Sequence, residues 1–208
     1  MIKRAFDIVL SGIGLMVLSP LLILAAILVK CDSRGPVLFG QDRVGRDFRK
    51  FRLFKIRTMR VNDSDVAITS GADPRITRVG RVLRNLKIDE LPQLWNVLRG
   101  DMSFVGPRPE VPRYIRIFHD DYAQVLTVRP GITSAASLKY RDEAEILGRV
   151  DDPMDYYVRV ILPDKLRLEK EYVRRRSFWY DLSLILATLQ ACIQSAEVLP
   201  SDYVRMPE

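Results

Sequence analysis

The longest stretch without a charged side chain, Ile8 to Val29, runs for 22 positions. As a helix it would be about 33 Å long, enough to cross a bilayer. Downstream the pattern is finer. Phe48 to Met59 alternates basic and apolar residues (Phe48, Phe51, Leu53, Ile56), which predicts a strand or extended ribbon after a turn into a short strand at Arg34–Gln41. Val79, Val82, Leu83 and Leu86 predict a short helix over Ile76–Lys87, and Leu91, Leu94, Trp95 and Leu98 a second one stopped by Gly100. Val111 to Val128 reads as an amphipathic helix halted before Pro130-Gly131. A short aromatic-rich helix (Tyr156, Tyr157, Val160, Ile161), a break at Pro163 and a long helix from Lys165 to about Ile193 complete the series. The expected fold is mixed, mostly α with a few short strands. It divides into an apolar segment at 1–30 and one small domain at 31–208 carrying C-terminal interfacial helices.

Ser19-Pro20 falls near the middle of the apolar run. Pro20 gives up its own N–H bond and crowds the carbonyl of Met16, while the Ser19 hydroxyl can re-satisfy a freed carbonyl. Both flanks are basic, so a positive-inside arrangement at both ends requires both to face the cytoplasm. Each arm, roughly 11 residues or about 16 Å, reaches only to mid-bilayer. These features predict a re-entrant helix–break–helix hairpin with its break at Ser19 and Pro20, and a domain that is monotopic; a proline-kinked transmembrane helix is the plainer alternative. A cleaved signal peptide is excluded by the length of the run and the lack of an A-x-A site. Near the other end, Arg174-Arg175-Arg176 and Phe178-Trp179-Tyr180 precede the apolar positions Leu182–Ile193. Twelve residues, about 18 Å, do not span a membrane. They suit an in-plane interfacial helix or a core helix, or partly both.

Charge sharpens this picture. Between Lys30 and Arg60 lie ten basic residues against Asp32, Asp42 and Asp47, an excess equal to the whole-chain net charge of +7. A basic segment directly after an apolar one points to anionic lipid headgroups. Nucleic acid is set aside, because no zinc-finger, helix-turn-helix or RNA-recognition signature accompanies the charge. Two cysteines, Cys31 and Cys192, and one histidine, His119 on a polar stretch, exclude a His/Cys zinc site and a disulfide framework.

The candidate chemistry centres on Asp89-Glu90. Pro92 fits only a first helical turn, so a helix beginning near Asp89 would hold that carboxylate ionised among unpaired N–H groups at its positive end. An ordinary acidic N-cap would look the same. Arg84 lies five residues upstream, and Pro107-Arg108-Pro109 presents one guanidinium on a stiff loop. Asp63-Ser64-Asp65 is a D-x-D triplet of the kind that holds metal in nucleotide-sugar glycosyltransferases, and short enough to arise by chance.

The run Lys87-Ile88-Asp89-Glu90-Leu91-Pro92-Gln93-Leu94-Trp95-Asn96-Val97-Leu98-Arg99-Gly100-Asp101-Met102-Ser103-Phe104-Val105-Gly106-Pro107-Arg108-Pro109-Glu110 resembles the signature of the bacterial sugar transferases, the monotopic phosphoglycosyl transferases that load polyprenyl phosphate. Phe54–Met59, Asp73–Gly80 and Arg129–Thr133 match flanking family motifs. The resemblance implies transfer of a sugar-1-phosphate from a UDP-sugar to polyprenyl (undecaprenyl) phosphate with release of UMP, initiating a bacterial surface glycan that downstream glycosyltransferases would extend. It implies Mg2+ as cofactor, a place at the inner membrane facing the cytoplasm, and a re-entrant helix broken at a Ser-Pro pair. By the same resemblance Asp89 is the nucleophile and, with Glu90, a catalytic and metal-binding residue. Lys55, Arg84, Arg108 and Arg141 would bind the anionic substrates, with Pro107 and Pro109 bordering the uridine. After Ile132-Thr133 the chain departs from the common pattern: Ser134-Ala135-Ala136-Ser137 replaces a glycine-containing turn and bears on donor choice. Two other readings remain: a D-x-D glycosyltransferase releasing UDP, and a non-catalytic basic membrane-binding module.

Overall fold

The computed structural model describes residues 2–60 and 73–194. The Asp63-Ser64-Asp65 triplet lies outside them. In chain order the elements are α1 (Ile2–Asp32), β1 (Leu38–Val44), β2 (Lys50–Ile56), α2 (Arg78–Asn85), α3 (Gln93–Arg99), β3 (Ser103–Val105), α4 (Pro112–Ile117), α5 (His119–Val125), β4 (Gly131–Thr133), α6 (Ala135–Lys139), α7 (Glu143–Leu147), α8 (Pro153–Tyr156), α9 (Leu162–Arg175) and α10 (Phe178–Gln194). The fold is thus mostly helical, as its periodicities predict.

Helix α1 runs unbroken through Pro20. The expected loss of helical structure at Ser19-Pro20 is absent, and the reason is local: the Ser19 Oγ donates to the Met16 carbonyl at 2.8 Å. That oxygen is the one Pro20 cannot serve. By length and composition α1 could cross a membrane, with a mean hydropathy of 2.6 in its most apolar window. Yet both of its ends dock on the same domain. At the start, Lys3 donates to the Val105 carbonyl, the Tyr172 hydroxyl and Asp181, and Arg4 to the carbonyls of Val97 and Leu98 at the end of α3. At the far end, Ala25 and Val29 pack with Ile56 and Leu83, and Asp32 accepts from the Val79 backbone. Ser11, Gly14 (which faces Leu94) and Leu22 continue the same three-and-four-residue stripe. The opposite face leaves Val9, Ile13, Met16, Val17, Ile23 and Ile27 exposed.

β1 and β2 form an antiparallel hairpin in the register Leu38↔Ile56 to Val44↔Lys50. The side of β2 away from β1 is closed by a side chain. Asn96 of α3, fully buried, accepts from the Phe54 N–H at 3.1 Å and donates to the Arg52 carbonyl at 2.8 Å, so its amide mimics a neighbouring strand. Replacing Asn96 with Ala would orphan both backbone groups. We expect a loss of about 2–4 kcal/mol, read as a lower chemical-denaturation midpoint at unchanged m.

β3 and β4 pair in parallel, Ser103 with Gly131 and Val105 with Thr133, an element the hydrophobic pattern did not predict. The main core gathers Val44, Tyr114, Tyr122, Val125, Leu147, Ile161 and Leu166 between the hairpin, α4, α5 and α9. Three helices differ from expectation. The Val111–Val128 helix is two, α4 and α5, separated at Phe118 (φ −117°, ψ 43°). Pro163 is not a break: α8, a π-turn over Tyr157–Ile161 and α9 follow one another without a gap, and the widened π-turn lies in the turn that the Pro163 ring would otherwise crowd. The long C-terminal helix is interrupted instead at Arg176, whose ψ of 128° is extended. In α10, Leu184 and Asp181 face the domain, as the core reading expects, while Trp179, Leu186 and Leu189 on the other side are exposed.

Candidate active site

The carboxylate pair sits between α2 and α3. Thr77 caps α2 by accepting from the Gly80 N–H, and the helix ends at Asn85. Lys87 then takes a left-handed conformation (φ 57°), which turns the chain into a single 3-10 turn over Ile88–Glu90. A non-glycine residue held there costs on the order of 1 kcal/mol and marks a backbone fixed by its surroundings. The N-cap of α3 is Pro92, with no side-chain bond, so the expected capping role of Asp89 is corrected. Asp89 is instead turned inward, 7% exposed, with Oδ1 buried and unpartnered among the described residues. Its carboxyl is consequently pushed up: burial dominates, Glu90 adds to it, and Lys55, Arg84 and Lys87 oppose. The helix-end argument for an ionised Asp89 therefore fails. Nearby cations, not a dipole, are what favour its charged form.

Glu90 behaves oppositely. Its Oε1 accepts from Lys55 Nζ at 3.0 Å and from Arg108 Nη2 at 2.8 Å. Burial alone would raise this carboxyl, but Arg108 and then Lys55 hold it well below the usual range. Burial lowers the Lys55 amine even so, and the Arg108 guanidinium is raised by Glu90. With its side chain 38% exposed, Arg108 stands at the rim of the site, where solvent weakens the pair.

Arg84 reaches the same place from α2. Its Nε donates to the buried Thr58 hydroxyl at 2.8 Å, and Asp89 is the acidic group that acts on it most strongly. Gly80 makes this possible, since a Cβ there would lie 2.1 Å from the Thr58 carbonyl oxygen. Pro107 and Pro109 are buried on either side of the exposed Arg108. The structure therefore brings together Lys55, Arg84, Asp89, Glu90 and Arg108. Arg141 is placed elsewhere: its guanidinium donates to the Ala191 carbonyl of α10. His119 is exposed and stacks on Phe48, 5.0 Å between centroids. Glu169, which accepts from the Arg108 N–H and from the Ser134 hydroxyl, carries no motif signal in the sequence, and Thr58, which holds Arg84, appears there only within the Phe54–Met59 motif.

No group of three or more His, Cys, Asp or Glu among the described residues could by itself hold a metal. Mg2+ needs less: one or two carboxylates suffice when substrate phosphates complete its shell. The unpartnered Asp89 oxygen beside Glu90 fits that requirement.

A family-level comparison matches residues 1–195 to the family described as bacterial sugar transferase. The chain belongs to the bacterial sugar transferase family. Among similar proteins, the undecaprenyl-phosphate glucose phosphotransferase of Komagataeibacter xylinus is 43% identical over 197 residues, covering 90% of this chain and 35% of its own length. The UDP-N-acetylgalactosamine-undecaprenyl-phosphate N-acetylgalactosaminephosphotransferase of Aeromonas hydrophila is 36% identical over 199 residues, covering 92% and 44%. The exopolysaccharide production protein PSS of Rhizobium leguminosarum bv. phaseoli is 39% identical over 197 residues, covering 90% and 93%. The chain thus spans less than half the length of the first two of these proteins and nearly all of the third.

Proposed function

We propose that this chain transfers a sugar-1-phosphate from a UDP-sugar to polyprenyl (undecaprenyl) phosphate, releasing UMP, through a covalent intermediate on Asp89. One observation carries the reading: cations from a helix, a strand and a loop (Arg84, Lys55 and Arg108) converge on adjacent carboxylates, one engaged by two of them and the other with a buried, unpartnered oxygen. Phosphoryl transfer asks chiefly for positioning and charge neutralisation, and this is such a site. An Asp89 carboxylate oxygen attacks the phosphorus next to the sugar. The bond from that phosphorus to the bridging oxygen breaks, and UMP departs with the oxygen. A phosphate oxygen of the lipid then attacks the same phosphorus and expels the Asp89 carboxylate, giving a polyprenyl-diphosphate sugar. Lys55, Arg84 and Arg108 hold the anionic oxygens throughout. Asp89 and Glu90 would hold Mg2+, which when bound neutralises diphosphate charge. The names of the relatives, each matched over about 90% of this chain, support both donor and acceptor class.

The acceptor sets the location. We place the chain at the inner membrane as a monotopic protein, its domain on the cytoplasmic side. α1 enters one leaflet, and we assign its turning point to a bend of the continuous helix at Ser19-Pro20. Docking of α1 on one domain from Lys3 to Asp32 supports this, since a helix crossing away from the domain would carry one end off it. The exposed apolar faces of α1 and α10, with Trp179 75% exposed, suit contact with lipid.

Purified protein in nanodiscs, given UDP-sugar, Mg2+ and undecaprenyl phosphate, should release UMP. Release of UDP would instead favour a D-x-D enzyme, and absence of any nucleotide release a non-catalytic membrane-binding module. For the topology, Pro20→Leu should straighten α1 and move residue 2 across the membrane. Cysteine labelling at that position from either side reads the change; the same accessibility in both proteins would count against the re-entrant arrangement.

A further inference from the structure

The loop that carries Arg108 has one unusual property: Pro107 and Pro109 have no N–H, so Arg108 supplies the only main-chain donor of the three. The carbonyls of the two prolines are tied to neutral or cationic partners. Pro107 O accepts from the Gly131 N–H at 2.9 Å, and Pro109 O from the Arg43 guanidinium at 3.1 Å. The single donor goes to a carboxylate. Arg108 N donates to Glu169 Oε1 of α9 at 3.2 Å, and the Ser134 hydroxyl donates to the same oxygen at 2.7 Å.

Glu169 is out of place for a glutamate. It is 5% exposed, and Oε2 is buried with no hydrogen-bond partner among the described residues. It has no side-chain ion pair among those described, although Lys165 lies one turn away on the same helix. A neutral acceptor would satisfy Arg108 N without leaving a second oxygen orphaned. What a carboxylate adds is a charge-assisted hold on one particular amide, about twice as strong as a neutral one.

We propose that Glu169 is a positioning residue: by gripping the main chain of Arg108 and the Ser134 turn together, it fixes the guanidinium over Glu90 and the donor diphosphate. The inference rests on the reading given under Proposed function and extends it to a residue outside the site. It also gives the Ser134-Ala135-Ala136-Ser137 segment a task. Ser134 is the N-cap of α6, accepting from the Ser137 N–H at 3.0 Å while it donates to Glu169, so one hydroxyl couples that turn to the Arg108 loop.

The arrangement carries a pH dependence. Burial pushes the Glu169 carboxyl up to about 7, against the lowering effect of Ser134, the Arg108 amide, Lys165 and the Arg108 guanidinium. The other groups facing it are Tyr122 from α5 and Tyr172 from its own helix, both themselves pushed up by burial. Lys139 of α6 and Asp121 of α5 are taken up by Asp164 and Lys170. Because the raised value means that the proton is held until about pH 7, the strong grip exists above that pH and weakens as pH falls through it.

The test uses the full chain in nanodiscs, with wild type, Glu169→Gln and Ser134→Ala. Donor KM and kcat from UMP release are measured between about pH 5.5 and pH 8.5, and amide exchange is followed on peptides covering 107–109, where Arg108 is the only exchanging amide. Wild type should show an acid limb near pH 7 in kcat/KM and stronger Arg108 protection above that pH, after correction for intrinsic exchange. In Glu169→Gln the part of the limb due to Glu169 should disappear, leaving only the fall set by Asp89, while KM should rise about tenfold and Arg108 exchange should quicken by a similar factor. Ser134→Ala removes a lowering hydrogen bond, so its limb should move to higher pH. An unchanged KM, limb and Arg108 exchange in Glu169→Gln would overturn the proposal. Should wild type release no UMP, the reading of the function fails; the exchange data still decide this inference, and pH-independent Arg108 protection ends it.

Discussion

Asp89→Asn is expected to abolish sugar-phosphate transfer, with a fall in kcat of roughly 10^4-fold or more, as for loss of a nucleophile elsewhere. The protein should fold normally. Asn has the shape of Asp, the oxygen Oδ1 has no partner to lose, and a buried charge-bearing group is replaced by a neutral one. Glu90 keeps Lys55 and Arg108, so the cationic surroundings persist. Labelled donor without acceptor should leave its label on wild-type Asp89, seen as a mass increase of one sugar phosphate on the peptide containing Lys87–Arg99, and leave none on the variant. Wild-type protein that turns over but never carries label would sink the covalent route while leaving direct transfer between the two substrates open. Because burial raises the Asp89 carboxyl, and the unprotonated form is the nucleophile, first-step rates should fall as pH drops through its raised pKa.

Gly131→Ala should be the most damaging conservative change in the fold. A Cβ at this position would lie 2.1 Å from the Gly106 nitrogen, 2.5 Å from the Gly106 oxygen and 2.7 Å from the Thr133 oxygen. All three are backbone atoms, so no side chain can swing aside. β3 and β4 would have to separate, and with them the bonds from Gly131 N–H to Pro107 O and from Gly106 N–H to Thr133 O. We expect a loss of about 3 kcal/mol or more, in the range of severe overpacking. Both thermal unfolding and donor KM should register it, because the displaced segment leads directly into Arg108. A variant as stable as wild type would show that this contact is softer than its geometry.

What the sequence discloses here depends on range. Asp89, Glu90, Lys55, Arg84 and Arg108 are legible because each lies in a distinctive local motif, and the structure does gather them. Arg141 has an equally distinctive setting but turns to the Ala191 carbonyl. The 3-10 turn at Ile88–Glu90 is indistinguishable by spacing from the first turn of a helix, so Asp89 reads as a cap when it is a buried side chain. β3 and β4 have three residues each and pair across an intervening pair of helices, beyond the reach of any period-two signal. Arg176 ends α9 without a glycine or proline. Glu169 sits in a charged helix beside the half-exposed Lys170 and Glu171, and looks like a surface residue. Only its register with Leu162, Leu166 and Tyr172 on the buried stripe would have singled it out.

Arg4 satisfies the Leu98 carbonyl that α3 leaves bare at its end and shares the Val97 carbonyl with the capping Gly100 N–H. That helix has seven residues, about 10 Å, and at its opposite end the chain arrives directly from Asp89 and Glu90. The part of the molecule that we assign to lipid therefore grips one end of a short rigid strut whose other end bears the reacting groups. On that assignment, the depth at which α1 rests in the leaflet would set the height at which a sugar phosphate is offered to its carrier, and bilayers of different thickness should tune turnover even where no lipid touches the site.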